Sequence, residues 1–170
     1  LVKVLVEMEY QGIKVDVDFL NDYSKELEKD AKTAEESVYK QAGVRFNLAS
    51  PKQLGEVLFD KLKLDDAAKK TKTGQYKTGE DVLLKMAAKG HQIVDDILAF
   101  RELTKLKSTY VDASPQLINS KTGRVHTSYA QAVAVTGRLS SNNPNLQNIP
   151  VRTEKGREIR KAFVPRDSKH

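Results

Sequence analysis

The sequence contains no cysteine, which excludes disulfides, thiolate catalysis and cysteine-based zinc sites. Its three histidines, His91, His126 and His170, lie far apart and lack ligand spacing, so a histidine zinc site is not expected either. No apolar run approaches the roughly 20 residues that cross a bilayer. The first residues, LVKVLVEMEYQG, are interrupted by Lys3, Glu7 and Glu9, so they do not read as a signal peptide. The absence of an initiator methionine reads as a sign that the chain was cut from something longer. Internal repeats and low-complexity tracts are missing. Gly74 and Gly79 have the spacing of a phosphate-binding loop, but Glu80 and Asp81 stand where Lys and Ser or Thr are needed. No isolated pair of acids suggests acid–base catalysis; the carboxylates read as solvated helix faces.

What is present is a folded-protein composition with a basic excess. Of 170 residues, 39% are hydrophobic and 31% charged, which fits one substantial domain, or one domain and part of another, with a modest core. The net charge of +6 makes a polyanion a plausible partner, although an ordinary basic protein has the same balance. Leu1, Val4, Leu5 and Met8 lie at helical spacing, and Gly12 ends that helix. Asp16 is placed to cap a second helix, with an apolar stripe of Phe19, Tyr23, Leu27, Ala31, Ala34, Val38 and Ala42. At about 26 residues this helix would be roughly 39 Å long. Gly43 ends it, and Ser50, Pro51 and Gln53 predict a capping box that opens a third. Residues 69–77 hold four lysines and no acid, and read as a mobile basic loop. Thr78 with Asp81 opens a further helix that runs to about Lys107 and bends at Gly90. The expected fold is therefore mainly α: a long antiparallel helical hairpin over residues 1–110, with a basic tip near 66–79. A small α+β segment follows over 111–170. Within that segment, Gln116–Ile118 and Arg124–Tyr129 can pair as strands, and Thr153 can cap a short last helix.

The uncharged stretch between Gly137 and Pro150 is the richest in chemistry. Arg138, Asn145, Gln147 and Asn148 are hydrogen-bond donors on a loop stiffened by Pro144 and Pro150. Donors on a loop of this kind suit the DNA minor groove, where purine N3 and pyrimidine O2 present acceptors in similar places for every correct base pair. The same residues equally suit a turn that satisfies its own backbone. Lys105, Lys107, Ser108 and Thr109 form one basic and hydroxyl-bearing group, and Arg152, Lys155, Arg157, Arg160 and Lys161 another. Either can grip phosphates or simply form a solvated face. His126 reads as structural or DNA-facing. On the residues alone three readings stay open: a piece of a nucleic-acid enzyme, a non-enzymatic helical nucleic-acid-binding module, and a helical-hairpin interaction protein.

The words KLKSTYVD, TGRVHTSYAQAVAVTGRLSS, NPNLQNIPVR and GREIRKAFVPRD occur here in the order seen in family A DNA polymerases, the DNA polymerase I group. The upstream segments EYQGIKVD, FNLASPKQLGEVLFDKL and TGEDVL are similar too, so the resemblance covers nearly the whole chain. It implies a thumb over roughly 1–110 and the first part of the palm over roughly 111–170. It implies primer–template DNA as partner, gripped along the minor groove and backbone during nucleotidyl transfer in bacterial replication and repair. It assigns DNA contact to Arg138, Asn145, Gln147 and Asn148, and resemblance to the thumb tip to Lys69, Lys70, Lys72 and Lys77. Arg152 is placed near the phosphates of a deoxynucleoside triphosphate in the intact parent. The location implied is the bacterial cytoplasm, associated with the nucleoid, with no membrane.

The resemblance also marks what these residues lack. Family members follow the AFVPRD-like strand with a DYSQIELR-like segment whose Asp binds catalytic magnesium, and later supply a second Asp. Neither occurs here, and Asp167 precedes the expected position. The expectation is a fragment inactive alone, with no catalytic residue or cofactor of its own and with Mg2+ belonging to the parent. A truncated palm is further expected to leave apolar strand edges at Val133–Val135 and Phe163–Val164.

Overall fold

Asp16 starts the longest element, its carboxylate accepting from the Phe19 N–H at 3.0 Å. The computed structural model describes residues 1–165 and 167; His170 lies outside the described residues. The described residues are mainly helical with two small sheets. In order it forms α1 (Val2–Gln11), β1 (Lys14–Val15), α2 (Val17–Ala42), α3 (Pro51–Gly55), α4 (Glu80–Ala87), α5 (Gln92–Leu106), β2 (Ser128–Ala130), β3 (Ser140–Asn142), α6 (Glu154–Ile159) and β4 (Phe163–Val164). α3 and α5 each continue into a π-helical segment, Glu56–Lys61 and Lys107–Val111. Each sheet has two antiparallel strands, β1 with β4 and β2 with β3.

Residues divide into two compact units, Leu1–Glu26 with Lys105–His170, and Leu27–Thr104. The texture of the sequence divides the chain at 110/111. Compactness divides it elsewhere, because the first residues are stitched to the last third. Ile13 bridges Val125, the Asp16 N–H donates to the Ala162 carbonyl at 2.8 Å, and the Tyr23 hydroxyl donates to the Lys155 carbonyl at 2.7 Å. The Arg124 guanidinium reaches the Gln11 carbonyl at 2.8 Å, and His126 Nδ1 lies 2.8 Å from the Glu9 carbonyl. His126 is thereby structural. The apolar face read in α1 is not its buried face. Only Leu5 is buried, while Leu1, Val4 and Met8 are 73%, 59% and 47% exposed.

The middle unit has a conventional core. Val38 and Ala42 of α2 pack in one cluster with Leu48, Leu54, Val57, Leu58, Phe59, Leu83, Met86, Ile93, Val94 and Ile97. Ser37 and Gln41 of α2 both donate to Asp96 of α5, each at 2.6 Å. α3, its π-helical extension and α4 lie between α2 and α5 in sequence and share their core. Gly90 does not bend one long helix but separates two. It sits at φ +86°, a left-handed value that glycine adopts without a Cβ clash. The capping box is half formed. Ser50 Oγ accepts the Gln53 N–H at 3.4 Å, but the Gln53 side chain accepts from Asn47 rather than from Ser50. The loop expected to be mobile is a small hairpin: Lys77 N–H donates to Lys69 at 2.9 Å, Thr71 N–H to Gln75 at 2.7 Å, and Lys70 bridges Tyr76.

Tyr76 anchors that hairpin. Its ring packs on Phe59 with centroids 4.9 Å apart, and its hydroxyl donates to Asp60 at 2.6 Å. This bond to a carboxylate raises the phenol pKa above its ordinary value. The ring lies directly over Gly55, where an added Cβ would stand 2.7 Å from Tyr76 Cβ. Gly55→Ala is therefore expected to push the hairpin off its seat and destabilise the middle unit by about 1–3 kcal/mol. Urea denaturation checks this. Tyr76→Ala in the same background should make the two losses less than additive.

Candidate nucleic-acid interface

Strand β3 is the centre of the site. It pairs with β2 in the register Ser128↔Asn142, Tyr129↔Ser141 and Ala130↔Ser140. Arg138 lies two residues before β3, exposed, next to Gly137 at φ +74°. After β3 the chain turns at Asn143–Pro144 and forms a single 3-10 turn, Leu146–Asn148. One three-residue strand thus carries Arg138 on its leading side and Asn145, Gln147 and Asn148 on its trailing side. All four are exposed.

The donor character of the turn follows from its cap. Asn145 Oδ1 accepts the Gln147 N–H at 3.0 Å. The acceptor atom of that amide is committed to the backbone, so its NH2 group is what it can offer to a ligand. The side chains of Arg138, Gln147 and Asn148 have no hydrogen bond or ion pair among the described residues. The turn-satisfying reading of this loop is therefore true of the Asn145 oxygen and not of the other three side chains.

A second segment joins the turn. The Tyr110 hydroxyl donates to the Asn148 carbonyl at 2.9 Å. Thr109, Tyr110, Asn145 and Asn148 line one cavity of about 200 Å3. The structure thus brings the end of the 105–109 group to the Asn-rich turn. Lys105 and Thr109 are exposed, as is Ser108. Lys107 is turned to internal use: its ammonium meets Asp112 at 2.7 Å, and Ser24 donates to the other Asp112 oxygen at 2.6 Å. Burial pushes the Asp112 carboxyl up, but the bonds from Lys107 and Ser24 outweigh it and hold the pKa below the ordinary value.

The C-terminal cations divide in the same way. Lys155 pairs with Glu26 and Lys161 with Glu158, both at 2.7 Å. Arg152, Arg157 and Arg160 are exposed and have no ion pair among the described residues. Thr153 Oγ1 caps α6 by accepting the Gly156 N–H at 3.2 Å. Lys69, Lys70, Lys72 and Lys77 are exposed on the hairpin of the middle unit, with Lys70 4.5 Å from the Tyr76 ring centroid.

Gln116–Ile118 does not pair with Arg124–Tyr129. Ser114–Leu117 is a 3-10 turn, and the strand partner of Ser128–Ala130 is Ser140–Asn142. Phe163–Val164 pairs with β1 on one side and remains an edge strand of that two-stranded sheet on the other; Val133 and Val135 are exposed but lie in bends and turns rather than in a strand. Thr127, Ser141 and Tyr110 escaped the sequence reading. The alternation RVHTSY did carry a signal for Thr127, since it falls on the buried side with Val125. Ser141 carried none.

The site thus combines a polar turn with exposed donors and the exposed Arg138 before β3, and comparison with known proteins gives its family. The model of DNA polymerase family A matches residues 17–170. The chain belongs to that family. It is 54% identical over 166 residues to DNA polymerase I of Synechocystis sp., covering 97% of this chain and 17% of that protein. It is 51% identical over 164 residues to the thermostable DNA polymerase I of Thermus thermophilus, covering 96% and 20%. A solved structure, the POL domain of Pol1 from M. smegmatis in complex with DNA primer-template and dNTP, matches with a TM-score of 0.82 and 48% identity. That match covers 95% of this chain and 28% of the other. The chain thus spans about a fifth of the length of such relatives. Among the described residues, no helix is long and apolar enough to cross a membrane.

The Asp112 network has a defined pH signature. A carboxyl whose folded pKa is depressed contributes stability that is present above its unfolded value, near 3.9, and lost as pH falls through the folded value. Asp112→Asn is expected to be less stable than wild type at pH 6, with the gap closing as pH falls below about 4. Thermal melts of both proteins from pH 6 to pH 3 measure it; a constant gap would contradict it.

Proposed function

We propose that these residues form part of the duplex-holding surface of a DNA-directed DNA polymerase, a nucleotidyltransferase that extends a primer on a template in replication and repair. The observation that carries the reading is the β3 surface: Arg138, Asn145, Gln147 and Asn148 are exposed, and the turn's one committed side-chain atom is an acceptor. Uncommitted donors match the minor-groove acceptors common to all correct base pairs. That a 48% identical polymerase domain was solved with primer-template and dNTP supports the same partner here.

In this reading residues 1–110 belong to the thumb and 111–170 to the start of the palm. The lysine hairpin grips phosphates as the thumb tip, together with Lys105, Ser108 and Thr109, while Lys107 acts mainly by holding Asp112. Arg152 stands near the nucleotide phosphates in the whole enzyme. Magnesium for the transfer would supply charge neutralisation at the reacting phosphates. Among the described residues, no group of three or more His, Cys, Asp or Glu side chains could hold a metal ion. No chemical step is assigned to them, and the 170 residues are proposed to bind without copying. A bacterial cytoplasmic, nucleoid-associated location belongs to the same reading.

Fluorescence anisotropy of labelled primer–template, blunt duplex and single strand across a salt series tests it. Wild type is expected to prefer the recessed end, and Arg138→Ala to lose about tenfold of that preference. Replacing Lys69, Lys70, Lys72 and Lys77 together by Ala is expected to lower the salt slope by up to about 3.6 while sparing the preference. Equal, steeply salt-dependent binding by wild type and Arg138→Ala would instead favour a generic basic module. Absence of binding at low salt would favour an interaction protein.

A further inference from the structure

Two buried hydroxyls lie directly beneath the turn. Thr127 is 6% exposed and Ser141 0%. Their oxygens are 2.8 Å apart. Ser141 Oγ accepts the Leu146 N–H at 3.0 Å, and Thr127 Oγ1 lies 2.8 Å from the Pro144 carbonyl and 3.1 Å from that of Asn142. Each hydroxyl has one proton, and the Pro144 carbonyl is within reach of both, 2.8 Å from Thr127 Oγ1 and 3.2 Å from Ser141 Oγ. Leu146 N–H donates to Ser141, the two hydroxyls are bonded to each other, and the pair donates to the Pro144 carbonyl. The chain of bonds begins and ends on the backbone that flanks Asn145, and no buried side-chain polar atom is left unsatisfied among the described residues.

We propose that Thr127 and Ser141 are positioning residues that set the angle at which Asn145, Gln147 and Asn148 meet the minor groove. The inference rests on the reading of that turn as a DNA contact. Neither hydroxyl can touch DNA, being buried. Both act on the backbone of the turn, Ser141 at Leu146, the first residue of the 3-10 turn, and Thr127 at Pro144, two residues earlier. The turn has no sheet ladder of its own, since β3 ends at Asn142. Without the pair the turn would keep its Asn145 cap and its Tyr110 bond, and would be free to rotate between them. The result would be a surface with the same donors and the same charge but poorer registry, a loss in discrimination rather than in electrostatic affinity.

Binding by the full 170-residue chain tests this with Thr127→Val, Thr127→Ser, Ser141→Ala and the Val/Ala double variant, each studied below its own melting transition. The expected result is about a five-fold loss of recessed-end preference over blunt duplex in Thr127→Val and in Ser141→Ala. The salt slope should stay at the wild-type value, Thr127→Ser should keep the preference, and the double variant should be no worse than the poorer single. Wild-type preference in Thr127→Val and Ser141→Ala, alongside loss in Gln147→Ala, would overturn the positioning role while leaving the reading of the turn intact. No recessed-end preference in wild type would overturn both. Should both single variants fail to fold, amide exchange in wild type decides. Protection of Leu146 N–H by at least about tenfold supports the bond network, and exchange at the free rate overturns it.

Discussion

A backbone that turns often must find partners for its N–H and C=O groups outside any sheet ladder. Residues 113–153 meet that constraint in part with backbone turns and in part with side chains. Asn119 Oδ1 accepts from Lys121 and Thr122, Ser141 accepts from Leu146, Asn145 accepts from Gln147, and Tyr110 donates to Asn148. Help also comes from the other end of the chain: Glu9 accepts the Tyr129 N–H, and Tyr23 donates to Lys155. The site follows from this arrangement. Polar side chains turned inward hold the loop, and those left over face outward as Arg138, Gln147, Asn148 and the NH2 of Asn145.

The charges obey a related division. Lys107, Lys155 and Lys161 are engaged by Asp112, Glu26 and Glu158, whereas Arg138, Arg152, Arg157 and Arg160 are not engaged among the described residues. Exposed pairs of this kind add little stability, commonly under about 1 kcal/mol, but they offset the charge offered to a polyanion. Within residues 105–161, the cations left unengaged are therefore richer in arginine than the sequence count there suggests. Arginine's planar fork can bind phosphate in two places at once, which suits the duplex-holding role proposed for these residues.

Much of this was legible in advance. Asp16, Gly12, Gly43, Ser50 and Thr153 bound helices where local chemistry says they should, since caps depend on only a few neighbouring residues. The α2 stripe is largely buried for the same reason of simple periodicity, although Leu20 was missed. What was not legible depends on distant partners. The partner of β2 lies beyond a nine-residue loop rather than across the nearer SKTG turn, and that of β1 near the end of the chain. The basic loop has its ordered form because Tyr76 finds Phe59 and Gly55, more than a dozen residues away. In the site, the exposed donors could be named from the sequence, because their chemistry is their own. The buried pair beneath them could not, because Ser141 becomes special only by facing Thr127.

The central claim is that the β3 surface meets DNA through donors set by a buried scaffold. It is tested most directly by 1H–15N correlation spectra of the chain titrated with primer–template. The account predicts that the side-chain amides of Asn145, Gln147 and Asn148 and the Arg138 Nε resonance move together, and further with a recessed end than with blunt duplex at equal salt. Shifts confined to the lysine hairpin and the arginines of residues 152–160, with the Asn145–Asn148 resonances unmoved, would contradict it.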